Sequence, residues 1–192
     1  MDVFIIGIIS YLMGSIPFGF ILTKIFLKKD IREIGSGNIG ATNVLRTGNK
    51  FAAILTLFLD GFKGFLAVYI FYSFLGLTAA QFSSIFVFLG HLLPVFNKFK
   101  GGKGVATFLG IIMALNFWLL FYSGIIWLIV AFLFKRSSLS SLIASSFTLI
   151  LAFPLGLENN LWVLILLVTG IFVSHRTNIV RLFNGLEPKI GE

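Results

Sequence analysis

A chain of 192 residues that is 58% hydrophobic and only 11% charged lacks the polar surface of a water-soluble domain, where charged residues run at about 25%. Its net charge of +8 would suit nucleic acid in a soluble protein; in so apolar a chain it points instead to membrane topology and an anionic ligand. No cysteine is present, which excludes disulfides and thiolate metal sites.

The apolar runs come in a regular order. Val3–Leu27 is long enough to cross a bilayer, which takes roughly 20 residues. No basic residue precedes it, and Lys28 and Lys29 follow it, the reverse of a cleavable signal peptide, so it is expected to be a retained span with an outside N-terminus. Phe51–Leu77 is the second span and carries Asp60 and Lys63; Phe82–Phe96 is a shorter third. Val105–Leu115 and Phe117–Phe134, parted by Asn116, are expected to form a short fourth helix, with a re-entrant segment as the alternative, and a full fifth. Leu139–Phe153 and Leu161–Ser174 complete the series.

Charge supports this order. Apart from Lys24 and Lys63, every Lys and Arg falls in segments 28–50, 97–104, 135–138 or the tail after His175. The intervening segments at Gly76–Gln81, Asn116 and Pro154–Asn160 hold none, as the positive-inside rule requires of outer loops. The expected fold is all-α: a polytopic membrane helix bundle of about seven transmembrane helices, one integral membrane domain over residues 1–192, N-terminus outside and C-terminus cytoplasmic. Its cytoplasmic motif segments lie near 28–50, 97–107 and 174–192.

Four polar patches interrupt the apolar background. The first is GSGNIGATNVLRTGNK, Gly35 to Lys50. Its glycines let backbone N–H groups approach a ligand closely. Ser36, Asn38, Thr42 and Asn43 offer hydroxyls and amides, and Arg46 a planar fork suited to phosphate. A solvated loop between spans is the plainer alternative and stays open. The second is KFKGGKGVAT, Lys98 to Thr107. Successive N–H groups of Gly101, Gly102 and Gly104 would form an anion nest ahead of an apolar helix, with Lys103 as the point charge. It is no nucleotide-binding P-loop, because Gly104 rather than Ser or Thr follows the lysine. Inside-positive anchoring by the three lysines is the competing explanation.

The third patch lies within the spans. Asp60 and Lys63 are one helical turn apart and can pair, and His91 stands shortly before Pro94. Ionisable groups at such depth call for a reason; a structural pair and a ligand-binding role for Lys63 and His91 both remain open. The H-x-x-x-x-D pair of many acyltransferases is absent, since Phe96 stands at that spacing from His91. The fourth is SHRTNIVRLFNGLEPKIGE, Ser174 to Glu192, where His175 could act as a base, Arg181 as a phosphate ligand and Glu187 as an orienting carboxylate. A basic amphipathic tail on anionic lipid is the alternative.

The set GSGNIGATNVLR, LDGFKG, GHLLPVFNKFKGGKGVAT and HRTNIVRLFNG closely resembles the bacterial acyl-phosphate:glycerol-3-phosphate acyltransferase family. The resemblance runs along nearly the whole chain, with the family's three cytoplasmic motif regions in order. It implies transfer of a fatty acyl group from long-chain acyl phosphate to the 1-hydroxyl of glycerol 3-phosphate, giving lysophosphatidic acid and phosphate, at the cytoplasmic face of the bacterial inner membrane. It also implies an acyl-phosphate-forming enzyme that supplies the donor. Patches and resemblance together nominate Ser36, Arg46, Lys103, His175 and Asn178 as catalytic. For binding they nominate Gly35, Ser36, Asn38, Thr42, Asn43, Arg46, Lys63, His91, Gly101, Gly102, Lys103, Gly104, Arg181 and Glu187. No cofactor or metal is expected, because no cluster of carboxylates or histidines is visible in the sequence. A transporter of an anionic phosphorylated metabolite is the second class, although its polar groups should line a two-sided path.

Overall fold

The computed structural model describes residues 2–190; Met1, Gly191 and Glu192, the last two closing the tail segment 174–192, lie outside the described residues. Those residues form ten α-helices and no strand. They divide into two compact units, Met1–Leu115 and Asn116–Glu192.

The first unit contains α1 (Val3–Gly14), α2 (Phe18–Leu27), α3 (Ala41–Leu45), α4 (Lys50–Leu75), α5 (Leu77–Leu92) and α6 (Val105–Leu115). α4 is started by Asn49, whose side-chain oxygen accepts from Ala52 N at 2.9 Å. α4 packs chiefly on α6 and α5, and α1 on α5. Small residues let these helices approach closely, as is usual where lipid offers no hydrophobic drive between helices. A Cβ on Gly110 would strike the Gly61 carbonyl, and one on Gly90 would strike that of Tyr11. Val68, Val87, Phe108, Ile111 and Ile112 fill the resulting core.

The first apolar run is a single segment whose helix is interrupted at Ser15–Pro17, between α1 and α2. Pro17 has no N–H to give the helix. The Ile16 carbonyl at the break accepts from Lys63 Nζ of α4 at 2.7 Å and from Phe18 N at 3.2 Å.

The second unit contains α7 (Phe117–Phe134), α8 (Ser137–Leu151), α9 (Leu161–Ser174) and α10 (Arg176–Phe183). Asn116 caps α7 by accepting from Leu119 N at 3.1 Å, and Lys135 ends it in a left-handed conformation (φ 52°). α7 packs on α8, which packs on α9. Trp127 Nε1 donates to Ser141 Oγ at 3.1 Å, giving the half-buried indole N–H its partner.

Each expected apolar run is helical. Val3–Leu27, Lys50–Leu75, Leu77–Asn97 and Phe117–Phe134 are long and apolar enough to cross a membrane, and the bent pair Glu158–Ser174 plus Arg176–Phe183 would make a fifth; Val105–Leu115 and Ser137–Leu151 are shorter. The boundaries differ most at the third run. In place of a loop from Gly76 to Gln81, Gly76 alone (φ 80°) joins α4 to α5. Ala79, Ala80 and Gln81 are buried in the first turns of α5, so packing and alanine's helix preference extend the helix past its polar residues. Chain direction also changes by 62° between α9 and α10.

Candidate functional site

In the first unit the opening loop is organised by one buried side chain. Asn43, on the short α3, accepts from Ser36 N at 3.0 Å, while its amide donates to the carbonyls of Ile31 (3.2 Å), Ile34 (2.8 Å) and Asn38 (2.9 Å). Asn38 Oδ1 accepts from Gly40 N at 2.8 Å, and Gly37 N bonds the Ile34 carbonyl at 3.0 Å. Gly35 sits at φ 54°, where a Cβ would press on Asn43 Oδ1 and Arg46 Cδ. The backbone N–H groups of Ser36, Gly37 and Gly40 are thus taken up inside the loop. What the loop presents is side chains: Ser36 and Thr42 are exposed and Arg46 is half-buried, its stem along Gly35.

A turn earlier, Arg32 bonds Asp30 in a fork (2.6 and 2.9 Å), and that hydrogen bond holds the Asp30 carboxyl down to about 2. Arg32 Nη1 also donates to Asn97 Oδ1 at 3.2 Å. Asn97 is buried and donates to the Lys100 carbonyl, so the basic loop is tied to the turn before the opening loop through a residue to which the sequence alone assigns no role.

The Gly-Gly-Lys-Gly loop is set down on the end of α5. Gly102 N donates to the His91 carbonyl at 3.1 Å, Gly101 lies against the carbonyls of His91 and Leu92, and a Cβ on Gly102 would collide with the His91 ring. Gly102 therefore serves close packing rather than an outward N–H. Gly104 alone of these three is left-handed (φ 84°), and the Gly104 carbonyl starts α6 by accepting from Phe108 N at 2.8 Å. The first N–H groups of that helix and the half-buried Lys103 are the loop's anion-favouring features.

Behind the loop, Lys63 Nζ lies 2.8 Å from Asp60 Oδ1, an ion pair one turn apart on α4. His91 Nδ1 faces the same oxygen at 3.6 Å and has no hydrogen bond. Thr107 Oγ1 donates to the Asp60 carbonyl at 3.0 Å. Lys63 and His91, nominated as ligand-binding, are buried, and Lys63 has committed its ammonium to Asp60 and Ile16.

In the second unit the tail closes on Glu187. Its Oε1 accepts from Asn178 Nδ2 at 2.6 Å and Ser138 Oγ at 2.7 Å; its Oε2 accepts from Arg181 Nε at 2.7 Å. Burial alone would raise this carboxyl, but the bonds from Asn178, Ser138 and Arg181 outweigh it and hold it below its ordinary range. Nominated as an orienting group, Glu187 here orients Asn178 and Arg181. Ser138, at the start of α8, is a partner that the sequence did not mark. Asn178 Oδ1 is buried without a hydrogen bond. His175 is buried where α9 gives way to α10, with Nδ1 2.8 Å from the Ile171 carbonyl. That contact needs a proton on Nδ1, so a neutral imidazole has Nε2 as its acceptor.

Among the described residues no group of three or more His, Cys, Asp or Glu is placed to hold a metal ion.

A family model for glycerol-3-phosphate acyltransferase matches residues 4–185. The chain is 50% identical over 186 residues to the glycerol-3-phosphate acyltransferase of Jannaschia sp. (strain CCS1), covering 97% of this chain and 92% of that one. It is 47% identical over 192 residues to that of Wolbachia pipientis wMel, covering 98% of both. A crystal structure of PlsY (YgiH), an integral membrane glycerol 3-phosphate acyltransferase in its glycerol 3-phosphate form, superposes with a TM-score of 0.93 at 38% identity, over 98% of this chain and 96% of that one. The lysophosphatidic acid form gives 0.92 at 37%, over 98% and 95%. Motif residues, helical architecture and relatives of matching length agree, and the chain belongs to the glycerol-3-phosphate acyltransferase family.

Proposed function

We propose that this enzyme takes its acyl group from a long-chain acyl phosphate and transfers it to the 1-hydroxyl of glycerol 3-phosphate, as the first acylation of phospholipid synthesis. The observation that carries this is the near-complete likeness to a relative solved in its glycerol 3-phosphate form, together with the basic residues and exposed hydroxyls that the motif segments hold. Both substrates carry phosphate, so bringing them together demands cations to offset their repulsion. In the first unit Arg46 and Lys103 are the candidate cations, with Ser36, Asn38, Thr42 and the first turn of α6 as hydrogen-bonding groups and Asn43 keeping the loop in shape; in the second unit Arg181 is the candidate cation and Glu187 keeps the tail in shape.

An acyl phosphate is a mixed anhydride with a good leaving group, so no covalent enzyme intermediate is needed. The 1-hydroxyl oxygen attacks the acyl carbon, the bond from that carbon to the phosphate oxygen breaks, and phosphate departs. The hydroxyl proton passes to a phosphate oxygen of the donor. His175, held by Ile171 with Nε2 as acceptor, orients the hydroxyl, and Asn178, held by Glu187, is a further candidate for that substrate. Charge asymmetry supports about seven spans in a single membrane domain of the bacterial inner membrane, with the N-terminus outside and the motif segments cytoplasmic. An acyl-phosphate-forming enzyme would supply the donor.

The test is the purified enzyme with palmitoyl phosphate and labelled glycerol 3-phosphate in excess chelator. Labelled lysophosphatidic acid is the expected product, and palmitoyl-CoA should not replace the donor. A requirement for a divalent ion, or full activity with the thioester, would overturn this mechanism.

A further inference from the structure

Asp60 and His91 have no part in the chemistry above and are sunk too deep to meet a water-borne substrate, their side chains being 2% and 3% exposed. Ionisable groups at such depth are costly to keep. We infer that Asp60 and His91 are positioning residues that seat the Gly-Gly-Lys-Gly loop and so fix where Lys103 stands. This rests on Lys103 being a phosphate ligand, as proposed above.

The chain of contacts is short. Lys63, anchored on the Ile16 carbonyl, neutralises Asp60 at 2.8 Å. Asp60 Oδ1 faces His91 Nδ1 at 3.6 Å, which biases the rotation of the ring. The opposite edge of that ring, at Nε2, is the surface on which Gly102 rests, and a side chain at position 102 has no room there. His91 also holds Gly102 N through its own carbonyl at 3.1 Å. Ring and carbonyl of one residue thus grip the backbone next to Lys103. Thr107 Oγ1, on the Asp60 carbonyl, ties the start of α6 to the same turn of α4. If the ring turned away from Asp60, the seat of Gly102 would change shape and Lys103 would move with it.

The seat predicts compensation between Gly102 and His91. Four purified variants are compared with wild type: Lys103→Ala, Gly102→Ala, His91→Ala and the Gly102→Ala/His91→Ala double. KM is measured for each phosphate-bearing substrate, along with kcat and melting temperature. Lys103→Ala and Gly102→Ala should each raise the KM of the same substrate by about tenfold or more, the second because its methyl meets the ring. His91→Ala should raise that KM about threefold, and the double variant should be no worse than His91→Ala alone, since the space vacated by the ring takes the methyl. Losses that add in the double variant, or a His91→Ala enzyme with unchanged KM, would overturn the inference. Should His91→Ala not fold, the nearly isosteric Asp60→Asn decides: the same KM rises about threefold with kcat little changed, or the seat plays no part in binding. If Lys103→Ala leaves both KM values in place, the phosphate role of the loop falls instead. The compensation, read as recovery of melting temperature, then still tests the seat.

Discussion

The opening loop and the C-terminal tail are both polar islands in an apolar chain, and they are organised in opposite ways. Among the described residues the Asn43 side chain is held by backbone, one N–H and three carbonyls, in a loop whose shape the amide holds from inside. Among the described residues the Glu187 carboxylate is held by side chains, drawn from α8 and α10. The first arrangement is neutral and depends on one residue offering a donor and an acceptor at once. The second is ionic and depends on a charge. Two ways of ordering a polar segment at a membrane surface therefore carry different vulnerabilities, the one to amide chemistry and the other to protons.

The sharpest break in that contrast comes from Asn43→Asp. A carboxylate oxygen would replace the amide facing three carbonyls, and the loop would lose its donors and gain repulsion. Turnover is expected to fall by more than about a hundredfold, with a lower melting temperature in detergent. A near-normal Asn43→Asp enzyme would show that backbone order in this loop comes from elsewhere. Glu187→Gln is the corresponding change in the tail. It keeps the shape and loses the charge that Arg181 faces, so a loss of about tenfold is expected, smaller because the Ser138 and Asn178 bonds can survive.

Acid should separate the two regions further. The folded carboxyl of Glu187 lies below its ordinary 4.5, so its contribution is fully present above that value and is lost as pH falls through the lower folded value. Melting temperature should therefore drop on acidification below about pH 4.5, with a shallower drop in Glu187→Gln. An identical acid profile in the two proteins would remove Glu187 as a source of acid sensitivity. The smallest effect is expected at Asp30. Its pair with Arg32 is near the surface, and such pairs contribute about 1 kcal/mol or less. Asp30→Asn should keep turnover within about twofold of wild type, because Arg32 retains Asn97.

Much of the architecture was legible because a bilayer imposes a simple requirement on helices: an apolar run of sufficient length. Asn49 and Asn116 stood where caps were needed, directly before such runs. The joint at Gly76 was not legible, because Thr78 and Gln81 look like loop residues until their helix is seen to be packed. In the site, the sequence exposed residue types but not the direction in which they point. Asn43 and Gly102 carried the same credentials as Asn38 and Lys103, yet face inward, and Glu187 holds ligand candidates more than it resembles one. Arg32, Asn97 and Ser138 went unmarked because their part is to hold a loop or a tail, and such roles leave no spacing pattern. Only the isolated polar character of Asn97 ahead of the basic run could have hinted at it.

The bond from Lys63 to the Ile16 carbonyl spans 47 residues of sequence, and chains are made from the N-terminus. The interrupted first segment therefore reaches the lipid before the residue that completes it. Until α4 arrives, the Ile16 carbonyl at the break keeps the Phe18 N–H but lacks the Lys63 ammonium, in a medium that supplies no water to take its place. α4 in turn enters with Asp60 beside Lys63, so the lysine travels with its countercharge and brings a donor to a helix already waiting. Biogenesis of the N-terminal half is thus a joint event: the first segment settles in the membrane when the second does.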